Sequence, residues 1–239
     1  MKNCIAILFV IFFSIGCNKE DGQNNSKVLL SRIMVNDKVY QSFEYNNMGQ
    51  LVKEKFYGTC EQNPADEYMY LYKGSKIDTL RSVIRSIYSS TSAICNPAMG
   101  VQYLAVFEYD NQGRINKIIK GNNTTSFIYN TQGFIEKQII SGGGNNYVST
   151  YKYDAKGNLT EQTDGQGNVT GYEYDSKRNP YYLIRQHPDI ITAFVVSQNN
   201  VVKINFQGGS HIIKYEYNAL NLPVKMFDSN GSTYQFVYQ

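Results

Sequence analysis

One nine-residue phrase recurs along this chain and constrains its fold more than any other feature. It runs aromatic, any residue, Tyr, Asp or Asn, two further residues, Gly, any residue, then Leu or Ile. It returns about every twenty-one residues, with good copies starting at Phe43, Phe107, Phe127 and Tyr151. A fixed period of this length is typical of proteins built from a row of small supersecondary units.

The chemistry of the phrase predicts a β-hairpin. Phe107 and Tyr109 are two residues apart and share one face of a strand, whereas Glu108 points to the other face. Asp110 suits the first position of a type I turn, and Gly113 can adopt the positive φ that closes a hairpin through a bulge. The final Leu or Ile then begins the second strand. Each unit therefore has an aromatic face and a polar face.

Several imperfect copies extend the array. The segment 68–77 predicts a shortened hairpin, and 172–178 carries Arg where Gly is expected. The copies 196–202 and 215–223 place Asn in the Gly position, and we expect hairpins there too because Asn tolerates positive φ. A further half unit, 234–238, ends the sequence. The repeat domain is thus predicted to span residues 28–239.

The segment 57–100 is less regular than the rest. Apolar residues between Ile77 and Ile87 recur at helical spacing, so a short helix over 77–90 is an alternative to a strand. The abundance of β-branched residues and the surrounding repeats favour the strand. The interval between Tyr72 and Tyr109 leaves room for an extra hairpin or an irregular insert.

These patterns predict an all-β protein in which tandem antiparallel hairpins join edge to edge in a long, twisted and curved sheet. We expect aromatic pairs to line its inner face. The sequence does not determine whether such a sheet closes or stays open. Terminal strands of an open sheet need covering, and the segment 57–100 is the predicted cap.

The Tyr-Asp dipeptides resemble the YD repeats of the RHS family, and the resemblance covers residues 40–239. They stand at Tyr109-Asp110, Tyr153-Asp154 and Tyr174-Asp175. Asn179-Pro180-Tyr181 and the segment 197–201 also resemble a pattern in RHS-like lipoproteins of Bacteroidota, a family without characterised activity. The resemblance implies a hairpin-repeat fold. Large RHS proteins form hollow shells that enclose a toxin, and this chain has too few units for such a shell.

The first residues predict export. Lys2 precedes a short apolar run, and residues 1–16 are predicted to be a signal peptide because the run is too short to span a membrane. Small residues leading into Cys17 resemble a bacterial lipobox, so Cys17 is predicted to carry lipid. Ordinary cleavage that leaves Cys17 as a plain thiol is the alternative.

Residues 17–27 form a predicted flexible tether. Its Lys19-Glu20-Asp21 resembles the surface-export signal of Bacteroidota lipoproteins, and a plain solvated tether is the alternative. We therefore expect a lipid anchor in the outer membrane with display at the cell surface, or else on the periplasmic face.

The cysteine count predicts one disulfide. Cys4 leaves with the signal peptide and Cys17 takes the lipid, so Cys60 and Cys95 remain as an even pair in an exported chain. A bridge between them would stabilise the fold by about 3–4 kcal/mol through loop closure. Two buried free thiols are the alternative.

Other chemistry is sparse. The net charge of +3 without a basic cluster gives no reason to expect nucleic acid as a partner. His187 and His211 have no metal-ligand spacing, and we expect no metal and no cofactor. One set of carboxylates recurs at the same repeat position and is predicted to face solvent; it comprises Glu44, Glu108, Glu173 and Glu216.

The combined evidence favours a non-enzymatic lipoprotein of the cell envelope, either a scaffold or a binding module for glycan or protein. One alternative is a glycan-active hydrolase whose carboxylates converge across the sheet. Another is an accessory or remnant of an RHS-type toxin system.

Overall fold

A computed structural model describes residues 28–60, 62–88, 90–184 and 191–239, and within them the fold is a closed antiparallel barrel of sixteen strands. The strands are β1 (Leu30–Val35), β2 (Lys38–Tyr45), β3 (Leu51–Phe56), β4 (Asp66–Lys73), β5 (Lys76–Ile84), β6 (Val101–Tyr109), β7 (Ile115–Lys120), β8 (Asn123–Tyr129), β9 (Ile135–Gly142), β10 (Asn145–Tyr153), β11 (Leu159–Thr163), β12 (Val169–Arg178), β13 (Asn199–Phe206), β14 (Gly209–Tyr217), β15 (Pro223–Asp228) and β16 (Thr233–Tyr238). Two short helices, α1 (Thr91–Ile94) and α2 (Ala193–Val196), and a 3₁₀ turn (Tyr181–Ile184) complete the described elements. The predicted signal peptide 1–16, Cys17, the tether 17–27 and His187 lie outside these residues.

The predicted all-β antiparallel architecture is confirmed, and the sheet closes on itself. Every strand pairs with its neighbours in sequence, and β1 pairs with β16 from Leu30 opposite Tyr238 to Val35 opposite Tyr234. The prediction that 57–100 caps a terminal strand is therefore wrong, because the first and last strands cover each other. That segment instead contains the regular hairpin β4–β5 between two longer connectors. Since β5 covers residues 76–84, the strand alternative holds there and the helical one does not.

The hairpin turns form as their sequence dictates. In the β6–β7 turn, the Gly113 amide donates to the Asp110 carbonyl at 2.9 Å. The Asp110 carboxylate accepts hydrogen bonds from the backbone amides of Gln112 and Arg114, both at 2.9 Å. Gly113 has a φ of +78°, and the strand register shifts at Tyr109, as a bulge requires. Asn221 replaces Gly in the β14–β15 turn with a φ of +57°, which confirms the prediction for that copy.

In most copies the repeated Tyr links its unit to the one before it, whereas the Tyr217 hydroxyl donates to the Asp175 carboxylate. In the linking copies, the Tyr hydroxyl donates a hydrogen bond to a backbone carbonyl at the start of the second strand of the preceding unit. Six such bonds, with distances from 2.5 to 2.8 Å, run from Tyr45 to Leu30, Tyr72 to Leu51, Tyr109 to Ile77, Tyr129 to Ile115, Tyr174 to Leu159 and Tyr238 to Pro223. We call the barrel end that carries these Tyr–carbonyl bonds the YD end.

The predicted aromatic lining of the inner face is confirmed. The first aromatic residue of each good copy is buried, at Phe43, Phe107, Phe127 and Tyr151. These rings join one continuous apolar core with residues from strands all around the barrel. Burial of this apolar surface is the main stabilising contribution to the fold.

The two copies around residues 172–202 form one hairpin and not two. The Asp175 carboxylate accepts hydrogen bonds from the amides of Lys177 and Asn200, at 2.9 and 3.1 Å. Lys177 and Asn200 thus take the roles that Gln112 and Arg114 have in the Asp110 turn. Residues 178–199 therefore stand where that turn has the single residue Gly113. The predicted hairpin at Val196 is wrong: that residue ends helix α2, and Ser197, which follows it, is buried. We call residues 178–199 the insert.

The opposite end of the barrel is held by a covalent bond and a buried cation. Cys60 and Cys95, in the β3–β4 and β5–β6 connectors, are joined by a disulfide with a Cα–Cα distance of 5.3 Å. Arg85, also buried, donates through its side chain to the carbonyls of Pro64 and Met99, at 3.1 and 2.7 Å. Both connectors are thereby tied together, and we call this the disulfide end.

Candidate ligand-binding cavity

The barrel interior contains a cavity of about 420 Å³, here called the barrel cavity. It lies between strands β1–β3, strands β15–β16 and the described part of the insert. Most of its wall is apolar. Aromatic rings come from Tyr40, Phe43, Tyr181, Phe194, Tyr234 and Phe236, and aliphatic side chains from Ile33, Leu51, Ile184, Val195 and Met226.

Three polar side chains interrupt this wall: Gln41, Glu54 and Asp228. Glu54 is buried, and its carboxylate accepts hydrogen bonds from the Gln41 carboxamide and from the Tyr70 hydroxyl, the latter at 3.1 Å. Carboxylates are acceptors only, so Glu54 and Asp228 give this wall two acceptor groups beside the hydroxyls of Tyr40, Tyr181 and Tyr234.

The insert supplies the inner wall of the barrel cavity. The Tyr181 ring packs edge-to-face against Phe43 and Phe236, each with 6.5 Å between ring centroids. Burial raises the pKa of the Tyr181 hydroxyl far above its ordinary value, which keeps that group neutral. The Asn179 carboxamide fixes this segment by donating to the carbonyls of Phe194 and Ser197, at 2.6 and 2.8 Å.

A second cavity, of about 460 Å³, opens at the YD end and is bounded by strands β6–β10 and the described part of the insert. Its rings are already covered by neighbouring side chains. The Arg114 guanidinium lies 4.2 Å from the Tyr129 ring centre, and Phe134 stacks on Tyr153 with 5.0 Å between centroids. Because few ring faces remain for a ligand, the barrel cavity is the stronger candidate.

The repeated carboxylates lie on the outer face, as predicted, and each faces a lysine on the adjacent strand. Glu108 pairs with Lys117 at 2.9 Å and Glu173 with Lys203 at 2.8 Å. Glu216 pairs with Lys225 at 3.5 Å, and Lys152 with Glu161 repeats the arrangement with the charges exchanged. The hydrogen bond from Lys203 lowers the pKa of Glu173. Consequently these groups do not converge on a cleft.

The remaining predicted residues lie away from the barrel cavity. Nδ1 of His211 lies 3.0 Å from the Ser229 hydroxyl oxygen at an exposed position. Across the described part of the chain, no group of three or more His, Cys, Asp or Glu side chains could hold a metal ion. Nor does any helix among the described residues have the length and apolarity to cross a membrane.

Sequence reasoning named no residue of the barrel cavity as a ligand contact. A signal was present, because Gln41 stands two residues before Phe43 and shares its inward face. Glu54 lies opposite Phe43 in the β2–β3 pairing. The position of the β2–β3 turn in the sequence was enough to predict this pairing. The contribution of the insert could not be inferred in this way, since its path depends on tertiary packing.

A closed antiparallel barrel made of Tyr-Asx hairpins, with the described part of an insert packed against its interior, defines a YD-type hairpin-repeat protein. Residues 14–239 match the Teneurin YD-shell family, and the chain belongs to that family.

Individual relatives are distant. The chain is 26% identical over 193 residues to the tRNA3(Ser)-specific nuclease WapA of Bacillus spizizenii, an alignment that covers 79% of this chain and 8% of the nuclease. A porin-like protein from Bacteroides uniformis has the same fold, with a TM-score of 0.51 and 12% identity over 88% of this chain and 96% of that one. The Photorhabdus luminescens Tc holotoxin pore gives a TM-score of 0.36 at 13% identity, covering 80% of this chain and 9% of the toxin chain. This chain therefore spans less than a tenth of the nuclease and of the toxin chain.

Proposed function

We propose that this protein is a non-enzymatic binding module of the cell envelope that holds a short glycan in the barrel cavity. One observation carries the proposal: the closed barrel retains an interior space of about 420 Å³ with rings and hydrogen-bond acceptors in its wall. Ligand pockets typically have volumes of about 300–1,000 Å³ and combine an apolar lining with a few polar groups.

The chemistry of the wall favours a sugar. Tyr and Phe rings offer flat apolar surfaces to the C–H face of a pyranose ring. The carboxylates of Glu54 and Asp228 and the Gln41 carboxamide oxygen can accept hydrogen bonds from hydroxyl groups. A mono- or disaccharide supplies both surfaces in a compact molecule.

The proposal is tested by measuring binding of the protein to an array of immobilised glycans. The best-bound oligosaccharide is then titrated by calorimetry. Glu54→Gln should weaken binding at least tenfold because it replaces an acceptor-only group with one that also donates. Glu108→Gln is the matched control on the outer face and should leave the affinity unchanged. Equal loss in both variants, or no glycan bound by the wild type, would contradict the proposal.

A glycan hydrolase is the second candidate, because Glu54 and Asp228 are two carboxylates in the wall of one cavity. We favour binding over hydrolysis, since the Asp228 carboxylate is engaged in its own turn, where it accepts from the Asn230 amide at 3.2 Å and the Ser229 hydroxyl at 3.3 Å. Incubation of the bound oligosaccharide with the wild type distinguishes the two functions. Release of shorter products that stops in Glu54→Gln would establish the hydrolase.

The proposal includes a cellular location. The chain is proposed to be a Bacteroidota lipoprotein, anchored to the outer membrane through Cys17 and displayed at the cell surface. Labelling with radioactive palmitate should mark the wild type and not Cys17→Ala. Protease treatment of intact cells should degrade the barrel; its full protection would indicate the periplasmic face.

An accessory of a toxin system is the third candidate, because the chain belongs to the YD-shell family. Its support is the sequence similarity to the nuclease WapA. A toxin gene beside this one in the genome, together with co-purification of the two products, would favour that role over glycan binding.

A further inference from the structure

A third cavity at the disulfide end adjoins the barrel cavity. It measures about 670 Å³ and is bounded by the β1–β2 turn, the start of the β3–β4 connector and the β15–β16 turn. We call it the vestibule. The described walls of the vestibule and the barrel cavity have two residues in common, Tyr40 and Tyr234.

These two tyrosines form the partition between the cavities. Their rings meet edge-to-face with 5.9 Å between centroids, and Phe56 supports the Tyr40 ring at 4.7 Å from the vestibule side. Both side chains are partly exposed, in contrast to the buried rings of Phe43 and Phe236 deeper in the barrel. Aromatic side chains at a partly solvated mouth can change rotamer without breaking backbone hydrogen bonds.

The other walls of the vestibule are held more rigidly than the two tyrosine rings. Cys60 lies in the vestibule wall, and its disulfide to Cys95 ties the β3–β4 connector to the β5–β6 connector. The opposite wall belongs to strands β1, β2 and β16, which the barrel closure pairs continuously. Of these walls, the Tyr40–Tyr234 contact is therefore the part that can separate without unpairing a strand or breaking a covalent bond.

We propose that ligands reach the barrel cavity through the vestibule and that the ring pair Tyr40–Tyr234 is a gate that limits the size of the molecules admitted. This inference rests on the proposed binding function for its biological meaning, but the route itself is a property of the barrel. Tyr40 and Tyr234 are accordingly specificity-determining residues, and the disulfide preserves the frame in which they move.

The absence of tryptophan from the sequence provides a direct test. Phe236→Trp introduces a single tryptophan, which can be excited selectively over the tyrosines, into the wall of the barrel cavity. Acrylamide, a small neutral quencher, serves as the probe. In this background, Thr59→Phe combined with Ser232→Phe narrows the vestibule. The matched control, Thr131→Phe, adds the same bulk to an exposed turn at the YD end.

We expect the double vestibule variant to lower the bimolecular quenching constant severalfold, and Tyr234→Ala to raise it severalfold. Thr131→Phe should leave the constant unchanged. Unchanged quenching in the vestibule variant, or a decrease in the control, would overturn the proposed route. Far-UV circular dichroism verifies that each variant folds. If Tyr234→Ala fails to fold, the vestibule variant, changed at the exposed Thr59 and the partly exposed Ser232, still decides the question.

This experiment is independent of the identity of the ligand. A vestibule route demonstrated with acrylamide would stand even if no glycan bound the wild type, in which case the binding proposal alone would fail. Conversely, glycan binding that depends on Glu54 while acrylamide enters from the YD end would leave the binding function and remove the gate.

Discussion

At the scale of single residues, the repeated Tyr has two separable roles. Its ring packs against the core, and its hydroxyl satisfies a backbone carbonyl of the preceding unit. Tyr45 is representative, with a hydrogen bond of 2.7 Å to the Leu30 carbonyl. Because Leu30 lies in β1 and Tyr45 ends β2, this bond joins the unit that closes the barrel to the first complete hairpin.

Removing that hydroxyl should cost a modest amount of stability. Tyr45→Phe keeps the ring and leaves the Leu30 carbonyl without this donor, so we expect the free energy of unfolding to fall by about 0.5–1.5 kcal/mol. Urea denaturation followed by circular dichroism measures the change. The control is Tyr147→Phe at an exposed position, where the change should stay within about 0.5 kcal/mol. Equal effects in the two variants would mean that the carbonyl link contributes nothing specific.

Residue chemistry explains why the turns could be predicted well. The Asx side chain, the positive φ at Gly and the alternation of aromatic residues are local properties. Each of them could be predicted from nine consecutive residues. Asn221 shows how far this extends, since its positive φ followed from residue type and position alone. By contrast, Asp175 meets its usual partners in Lys177 and Asn200, and the second of these is distant in sequence.

At the scale of elements, the insert shows where local reasoning failed. Val196 was assigned to a hairpin because its spacing fitted the period. The match is a coincidence, because the insert has 22 residues and is about as long as one repeat. Arg178 indicated that the turn is interrupted, because it stands where the turn needs a residue that tolerates positive φ. A lost Gly therefore marked the point at which the chain leaves the barrel wall.

Deleting the insert should test this view. In the variant, one Gly replaces residues 178–199, which restores a standard turn between Asp175 and Asn200. We expect an antiparallel β spectrum to persist, because the β12–β13 register already matches that of the other hairpins. The free energy of unfolding should fall by more than about 3 kcal/mol, since the buried side chains of Ile184, Ile191 and Ala193 are lost. Calorimetry and circular dichroism measure both properties. Loss of the β spectrum would show that the register depends on the insert.

The connectors at the disulfide end make a second prediction at this scale. Intact-mass measurement after thiol blocking should show no modified cysteine at Cys60 or Cys95 until a reductant is added. Cys60→Ala with Cys95→Ala should lower the free energy of unfolding by about 3–4 kcal/mol, because the open loop regains entropy in the unfolded chain. Urea denaturation measures this loss. A mass that is identical with and without reductant would contradict the bridge.

At the scale of the whole molecule, closure was the property that the sequence could not reveal. A row of hairpins specifies its own strand pairs, but whether β1 meets β16 depends on the twist accumulated over all sixteen strands. No single residue encodes that sum. The candidate cavity shares this dependence, because its walls come from β1–β3, β15–β16 and the insert, which meet only once the barrel has closed.

The closed barrel buries many tyrosine hydroxyls, and this predicts the response of stability to alkaline pH. Burial raises the pKa of many tyrosine hydroxyls above the ordinary value of 10.0. They include those of Tyr45, Tyr72, Tyr151, Tyr174, Tyr215 and Tyr238. At Tyr217 the neighbouring Asp175 carboxylate adds to the effect of burial. The native state therefore keeps protons that the unfolded chain releases above pH 10.

The sign of the linkage follows from this difference. The contribution of these groups to stability is complete below the unfolded pKa and is lost as the pH rises above it toward the native pKa values. We expect the absorbance of tyrosinate to rise cooperatively, together with the loss of the β signal in circular dichroism, at a pH well above 10. Most tyrosines would then ionise because the barrel unfolds. A gradual rise in tyrosinate absorbance between about pH 9 and pH 11, with the β signal intact, would instead mean that the hydroxyls reach solvent in the native barrel and that its interior is not sealed.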